Sequence, residues 1–462
     1  MKTVFIKELV ANDNLIDQEV TVKGWVRSLR KSKAFSFMVV NDGSSQLNLQ
    51  IIVDGSTPNY EEVSKLLVGS TVIVNGVAKA SQGKNQSVEI QSKSVEIVCA
   101  NTDDYPLQKK ATSFEFLREI AHLRPRTNSF GAVFRVRHTL AKATHDFFHN
   151  NNFYYVNTPI ITGLDAEGAG EMFRVSTIDL NNIPHTDKKE VDFAQDYFGK
   201  ETSLCVSGQL EAEALALALG RVYTFGPTFR SENSYTSRHL AEFWMVEPEV
   251  SFCNLDQVAT LAHDYLKFMA KSVLDSNPNE MDFFNQRIEK GLIEKLQSLV
   301  NSEITKITYT EAVKLLENSK KKFEFPVKWG IDLQTEHERH LTDDIYKGPV
   351  IVTDYPKKIK AFYMKENDDG ETVRAMDLLI PGVGELIGGS QREDSYDKLL
   401  NRMNENKMNV APYQWYLDLR KYGGAEHSGF GLGFERFIMY ATGMTNIRDV
   451  IPFARTPKSA EF

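Results

Sequence analysis

Between Thr21 and Val98 the chain passes through five short β-rich runs: Thr21–Val26, Phe35–Val40, Leu47–Val53, Thr71–Val77 and Ser87–Val98. Apolar residues alternate or cluster within them, and turn-forming residues separate them at Asn41-Asp42-Gly43-Ser44 and Ser81-Gln82-Gly83-Lys84. Short runs of two-residue periodicity punctuated by Gly, Asn and Asp are strands rather than helices, and their even spacing is the pattern of a small β-barrel.

Five strands with one longer connection, around Tyr60–Leu67, suit an OB-fold, whose open face takes single-stranded nucleic acid. A generic small β-domain stays open on these residues alone. Asn101–Pro106 turns polar and links the barrel to the remainder of the chain. Beyond it, Phe134–Asn150 and Gly208–Leu219 read as helices, and Arg221–Phe229, Glu242–Phe252 and Thr372–Ile380 as strands. Long helices mixed with strands, without regular alternation, predict an α+β domain on an antiparallel sheet. The expected organisation is a barrel over residues 1–100, a linker or hinge over 101–130 and a second domain over 131–462. Within the latter, residues 254–330 are mostly helical, rich in lysine and glutamate, and read as a surface insertion without catalytic residues.

With 42% apolar and 25% charged residues in 462, the chain has the balance of a soluble protein. Lys7 and Glu8 interrupt the apolar start before a signal-peptide core can form, so a cytoplasmic location is expected. Cys99, Cys205 and Cys253 are far apart and lack histidines at ligand spacing, which argues against disulfides and zinc and for packed thiols. A net charge of -8 gives no overall attraction to RNA, so any nucleic-acid contact must use local basic patches.

Three segments carry chemistry. Thr228-Phe229-Arg230-Ser231-Glu232 ends a strand, with Arg230 and Glu232 on one side, before a polar loop bearing Arg238 and His239 and a second strand from Glu242. Such a hairpin can set Arg230 on a phosphate bearing developing charge while Arg238 and His239 hold a polyphosphate tail. Gly431-Leu432-Gly433-Phe434-Glu435-Arg436 offers glycines for close ligand approach and places Arg436 near a helix start. Asp377 and Glu385 flank Leu378–Gly384, so a strand, a turn and a returning strand bring two carboxylates together, the hard-oxygen pair that Mg²⁺ shares with substrate phosphates. Arg392, downstream, is a planar donor for a small substrate. On residues alone an exposed hairpin, separate surface acids and an Arg392–Glu393 ion pair remain open readings.

Together these segments resemble motifs two and three of the class II aminoacyl-tRNA synthetases, in the aspartyl/asparaginyl subgroup, and the resemblance covers nearly the whole chain. It implies an OB-fold anticodon-binding barrel followed by the class II antiparallel sheet flanked by helices. It further implies a homodimer through the first motif, Phe153–Ile161, where Pro159 matches the interface proline. By matched position Arg230 engages the activating carboxylate and α-phosphate, Phe243 stacks on adenine, His239 approaches the outer phosphates, Arg436 clamps the γ-phosphate, and Asp377 and Glu385 help bind Mg²⁺ with the ATP. Glu167–Phe173 resembles the mobile loop over the amino-acid pocket, with Glu171 reading the α-ammonium; Ser207, Gln209 and Arg392 match pocket residues. Ala212 stands where aspartyl members carry a lysine, and with Glu232 as acceptor for amide hydrogens this favours a neutral carboxamide, hence L-asparagine and asparagine tRNA. On the barrel, Phe37 matches the aromatic that stacks on the central anticodon base, and Arg30 and Gln50 match neighbouring RNA contacts. Strand periodicity by itself favours the other orientation, in which Phe37, with Phe35 and Val39, faces the barrel core.

Three rivals stand beside this reading. An aspartyl or relaxed synthetase is disfavoured by Ala212. A free-asparagine synthetase would leave the barrel unexplained. A noncatalytic RNA-binding relative would be expected to lose Arg230, Arg436 or the paired carboxylates.

Overall fold

The computed structural model describes every residue except Met1, Lys33, Gln82, Lys84, Asn85, Lys109–Ala111 and Glu167–Gly170. Part of the turn expected at Ser81–Lys84 therefore lies outside the described residues. The chain forms two compact units, Met1–Arg135 with Phe462, and Val136–Glu461.

In the first unit, strands β1 (Glu19–Lys31), β2 (Phe35–Asn41), β3 (Leu49–Asp54), β4 (Thr71–Ala80) and β5 (Val88–Cys99) make a closed barrel. Their order is β1-β2-β3-β5-β4, and β4 closes back on β1. Closure leaves no open edge within the barrel, and the alternating apolar residues fill it: Val22, Val26, Met38, Val40, Ile51 and Val74 are wholly buried. The orientation of β2 is the reverse of the one its periodicity favoured, because the barrel interior is filled by the alternate set of residues. Ser36, Met38 and Val40 point inward, whereas Phe35, Phe37 and Val39 lie on the outer face. Cys99, expected to be packed, is exposed where β5 runs out of the barrel; Cys205 and Cys253 are buried.

The second unit is built on one sheet. Helix α1 (Asn128–Asn150) leads in, and α2 (Gln209–Leu219) precedes a hairpin of β6 (Arg221–Phe229) and β7 (Glu242–Ser251). Helix α3 (Leu255–Ser276), helix α4 (Leu292–Val300) and the short strand β8 (Thr305–Thr308) come next. After them lie helix α5 (Thr335–Arg339), β9 (Val350–Pro356), β10 (Thr372–Ile380) and β11 (Gly384–Gln391). Helix α6 (Gln414–Lys421), β12 (His427–Gly433) and α7 (Phe434–Thr442) complete it. The sheet order is β8-β9-β10-β11-β12-β7-β6, with the two-residue strand Tyr154–Tyr155 at the far edge. Every pairing is antiparallel except the two at the ends.

The residues read as a surface insertion behave differently. In α3, Val258, Tyr265, Leu266, Met269 and Val273 recur at helical spacing and are fully buried, and the helix lies against β10, β11 and β12. Strand β8 extends the sheet itself. The lysines and glutamates that suggested a surface element occupy the opposite face of an amphipathic helix, which composition alone does not separate. With α3 covering one face of the sheet, Phe430 and Leu432 of β12 belong to that core, and the other face carries the polar side chains.

Candidate active site

Cross-strand register assembles the polar face. On it Asp377 pairs with Gly388 and Gly388 with Gly431; Ser390 pairs with Gly429 and Gly429 with Glu249; Phe243 pairs with Thr228. The middle of the face is a strip of glycines. A Cβ at Gly429 would fall inside the Glu249 carboxylate, and one at Gly431 would come within 2.8 Å of the Met245 methyl.

Around the strip lies a cleft of about 180 Å³ lined by Arg230, Glu232, Arg238, His239, Phe243, Glu385 and Arg436, with Gly431 and Gly433 on its floor. Strand β6 ends at Phe229, so Arg230 and Glu232 lie in the loop just past it, not in the strand. The Arg230 guanidinium sits over the Phe243 ring at 5.4 Å. His239 accepts or donates at Nδ1 with Ser234 at 3.1 Å, and its Nε2 is 4.0 Å from Glu232. Arg238 donates to the carbonyl of Val383 at 3.1 Å, and Arg436 to the carbonyl of Glu385 at 3.2 Å. Burial lowers the Arg238 pKa, and Arg436 and Arg339 lower it further. Cations crowded closely enough to disfavour one another are relieved by a polyanion, which is what a triphosphate supplies.

The paired carboxylates also converge. A Cβ on Gly388 would lie 3.1 Å from Glu385 Oε1 and 3.5 Å from Asp377 Oδ1. Burial and the neighbouring Asp377 raise the Glu385 carboxyl. Lys360 occupies one Asp377 oxygen at 2.8 Å. Among the described residues no group of three His, Cys, Asp or Glu side chains forms a complete metal cage. An incomplete, all-oxygen pair beside a phosphate-sized cationic cleft fits Mg²⁺, which fills its remaining positions with phosphate oxygens and water.

Below the other end of the glycine strip lies a fully buried charge network that the sequence did not disclose. Arg392 holds Glu249 through two bonds, one of them Nε to Oε2 at 3.2 Å, and donates to Ser390 at 2.7 Å. Glu213 accepts from Arg420 at 2.7 Å, Tyr416 at 2.8 Å and Gln209 at 3.1 Å, and meets His427 Nε2 at 2.9 Å. Burial would raise the Glu213 carboxyl, but Arg420, His427 and Arg392 outweigh it and hold it well below the usual range. Ser207 bonds Glu247, which also accepts from the Gly208 N–H at 3.2 Å and Thr224 at 3.2 Å. Glu247 and Glu249 alternate with apolar residues in β7, and two acids on one face of a buried strand were the available signal.

The structure thus brings Arg230, Glu232, Arg238, His239, Phe243, Glu385 and Arg436 together in one cleft, with Asp377 beside it. Ser207, Gln209 and Arg392 lie in the buried network. Ala212, on α2, is fully buried with Ala216 and Val222 in a small apolar cluster. Glu171 is exposed, and its carbonyl accepts the Ser231 N–H at 3.0 Å, tying its segment to the loop after Arg230. The preceding loop residues Glu167–Gly170 lie outside the described residues. Pro159 is exposed, next to exposed Ile160 and Ile161 and close in sequence to the edge strand Tyr154–Tyr155. On the barrel, the Arg30 guanidinium sits 5.0 Å over the outward-facing Phe37 ring, and Gln50 donates to Glu89 at 3.1 Å. A larger cavity of about 630 Å³, in the first unit, is lined by none of the residues expected to bind ATP.

The family model for class II tRNA synthetases (D, K and N) matches residues 113–457, and that for the OB-fold nucleic acid binding domain matches residues 20–98. The chain belongs to the class II tRNA synthetases. Its full length is 57% identical to asparagine–tRNA ligases of Alkaliphilus metalliredigens and Clostridium tetani, with all of each chain covered. The asparaginyl-tRNA synthetase of Pyrococcus horikoshii, solved with asparaginyl-adenylate, superposes with a TM-score of 0.85 at 31% identity, covering 100% of this chain and 99% of that one. Within the class, the family is therefore that of the asparagine–tRNA ligases.

Proposed function

We propose that the chain activates L-asparagine with ATP and transfers it to asparagine tRNA. The observation that carries this reading is one sheet face bearing a cleft with three guanidiniums, Arg230, Arg238 and Arg436, in a chain 57% identical over its full length to asparagine–tRNA ligases. The amino-acid carboxylate attacks the α-phosphorus, diphosphate leaves, and the terminal ribose hydroxyl of the tRNA attacks the resulting adenylate, releasing AMP. No protein nucleophile is required; alignment and charge neutralisation lower the barrier.

Arg230 neutralises the α-phosphate as charge develops, and Phe243 gives the adenine a flat apolar face. Arg238, His239 and Arg436 hold the outer phosphates. Asp377 and Glu385 would hold Mg²⁺, whose chemistry there is charge neutralisation on the phosphate oxygens. Glu171, Ser207 and Gln209 are assigned to the amino-acid pocket, Arg392 to the side-chain carbonyl and Glu232 to the amide hydrogens. That position 212 carries alanine, packed with Ala216 and Val222, and not the lysine of the aspartyl members supports asparagine over aspartate. Phe37, Arg30 and Gln50 share the outer face of neighbouring barrel strands and are assigned to the anticodon, where an exposed ring beneath a guanidinium suits base stacking. The exposed apolar stretch around Pro159, beside a sheet edge, supports pairing with a second copy. The activity is assigned to the cytoplasm, where charged tRNA is consumed. No helix among the described residues is long and apolar enough to cross a membrane.

The test is aminoacylation of unmodified asparagine and aspartate tRNAs with each amino acid, ATP and Mg²⁺. Asparagine attached only to asparagine tRNA is the expected result. Attachment of aspartate to either tRNA would overturn the reading of Ala212.

A further inference from the structure

The turn that carries Glu385 is held from outside the sheet. Gly382 and Gly384 adopt φ of 77° and 89°, a conformation that L side chains rarely take. Three backbone groups of this turn are captured by side chains distant in sequence. The Gly382 N–H donates to Asp343 Oδ1 at 2.8 Å, the Glu385 N–H donates to Glu338 Oε2 at 3.1 Å, and the Val383 carbonyl accepts from Arg238. A Cβ on Gly384 would overlap the Glu338 carboxylate, so the contact requires glycine there.

Glu338 and Asp343 come from α5 and the π-helical turn His340–Ile345 that continues it. A π-helical turn puts the two acids where a regular helix would not, and such turns concentrate at functional sites. The segment is itself anchored. His337 is fully buried and its Nε2 lies 3.2 Å from the Phe325 carbonyl, Arg339 holds Asp343 at 3.3 Å, and Thr335 accepts from Arg238 at 3.3 Å.

We propose that Glu338 is a positioning residue for the ATP–Mg²⁺ end of the site: by accepting the Glu385 N–H, with Asp343 as second anchor, it fixes the turn from which Glu385 reaches the metal. The inference rests on the assignment of Asp377 and Glu385 to Mg²⁺. It moves part of the control of ATP geometry to Thr335–Ile345, a segment outside the synthetase motifs.

The test is Mn²⁺ binding in the presence of α,β-methylene-ATP, read from the electron paramagnetic resonance signal of free Mn²⁺, together with the KM values for ATP and asparagine. Glu338→Ala is expected to weaken Mn²⁺ binding about tenfold and to raise the ATP KM by a similar factor, leaving the asparagine KM unchanged. Glu338→Gln keeps an oxygen for the Glu385 N–H and should restore both values to within about twofold. Asp343→Ala, which removes the second anchor without touching a carboxylate at the site, should weaken Mn²⁺ binding about threefold and carries the test if Glu338→Ala does not fold. Parental Mn²⁺ affinity in Glu338→Ala, or equal loss in the Ala and Gln variants, would overturn the positioning role. Glu385→Ala separates the two levels: parental Mn²⁺ affinity in that variant would refute the metal assignment, and the proposal with it.

Discussion

Replacing Glu213 by alanine should be among the most destabilising single changes in the second unit. Its side chain has no exposure and serves Arg420, Tyr416, Gln209 and His427 at 2.7–3.1 Å, with Arg392 at 3.9 Å. Alanine removes the carboxylate that Arg420 contacts and strands a cation that is 1% exposed. Breaking one side of a buried ion pair costs about 3–5 kcal/mol, because the partner's desolvation is no longer offset. With an unfolding entropy of ~2.1 cal/mol/K per residue, a unit as long as Val136–Glu461 shifts by about 1.5 °C per kcal/mol, so Tm should fall by about 5–7 °C. A second change, Arg420→Met in the Glu213→Ala background, removes the stranded charge and should recover part of that loss. Calorimetry on the two single variants and the double variant reads all three values. A single-variant shift below about 1.5 °C, or losses that simply add in the double variant, would refute the network as an energetic unit. The pH dependence has a definite sign. Since the folded-state pKa is depressed, the stability Glu213 contributes is present above the ordinary carboxyl range and is lost as pH falls toward the folded value. Glu213→Gln should therefore flatten the acid limb of the Tm profile, and an unchanged limb would count against the assignment.

The same geometry sets three other expected outcomes. Gly429→Ala places a methyl inside the Glu249 carboxylate and should force it off Arg392, lowering asparagine-dependent ATP–diphosphate exchange by about a hundredfold, with a stability loss of about 1–3 kcal/mol; near-normal exchange would show that the Arg392–Glu249 geometry is not needed for activation. Phe37→Ala should raise the KM for tRNA by about ten- to a hundredfold, the equivalent of one lost base stack, with exchange in the absence of tRNA unaltered; an unchanged tRNA KM would remove Phe37 from the anticodon contact. In a thiol titration of the native protein at pH 8, exposed Cys99 should react quickly and Cys205 and Cys253 slowly, because burial pushes both of the latter thiols up to about 11. Three fast thiols would contradict the packing around β6 and β7.

Much of this architecture could be read from local signals. The barrel was legible because its strands alternate and Gly, Asn and Asp mark its turns, and the cationic cleft because its arginines fall in short, recognisable segments. What escaped was set by tertiary pairing. Whether Phe37 faced in or out depended on Ser36 and Met38 being the inward residues, which a strand with apolar residues on both faces does not announce. Helix α3 has the composition of a surface element, because its charges lie on one of two faces that composition does not separate. The network of Glu213, Glu249, Arg392, Arg420 and His427 joins acids, arginines and a histidine far apart in the chain, so no window of sequence contains it. Glu338 was missed because its role consists of a bond to a backbone N–H, which leaves no trace in residue type.

The glycine strip also limits how such a site can change. Gly388, Gly429 and Gly431 are already crowded by the Asp377 and Glu385 carboxylates, by Glu249 and by Met245, so the floor of the cleft has almost no room for a new side chain. On the proposed assignment, a change of amino-acid preference must therefore be written in the side chains beside the floor, on α2 and after β6 and β11, while the floor stays the same. A site of this design can acquire a new substrate by exchanging a few neighbouring side chains without rebuilding the sheet surface between them.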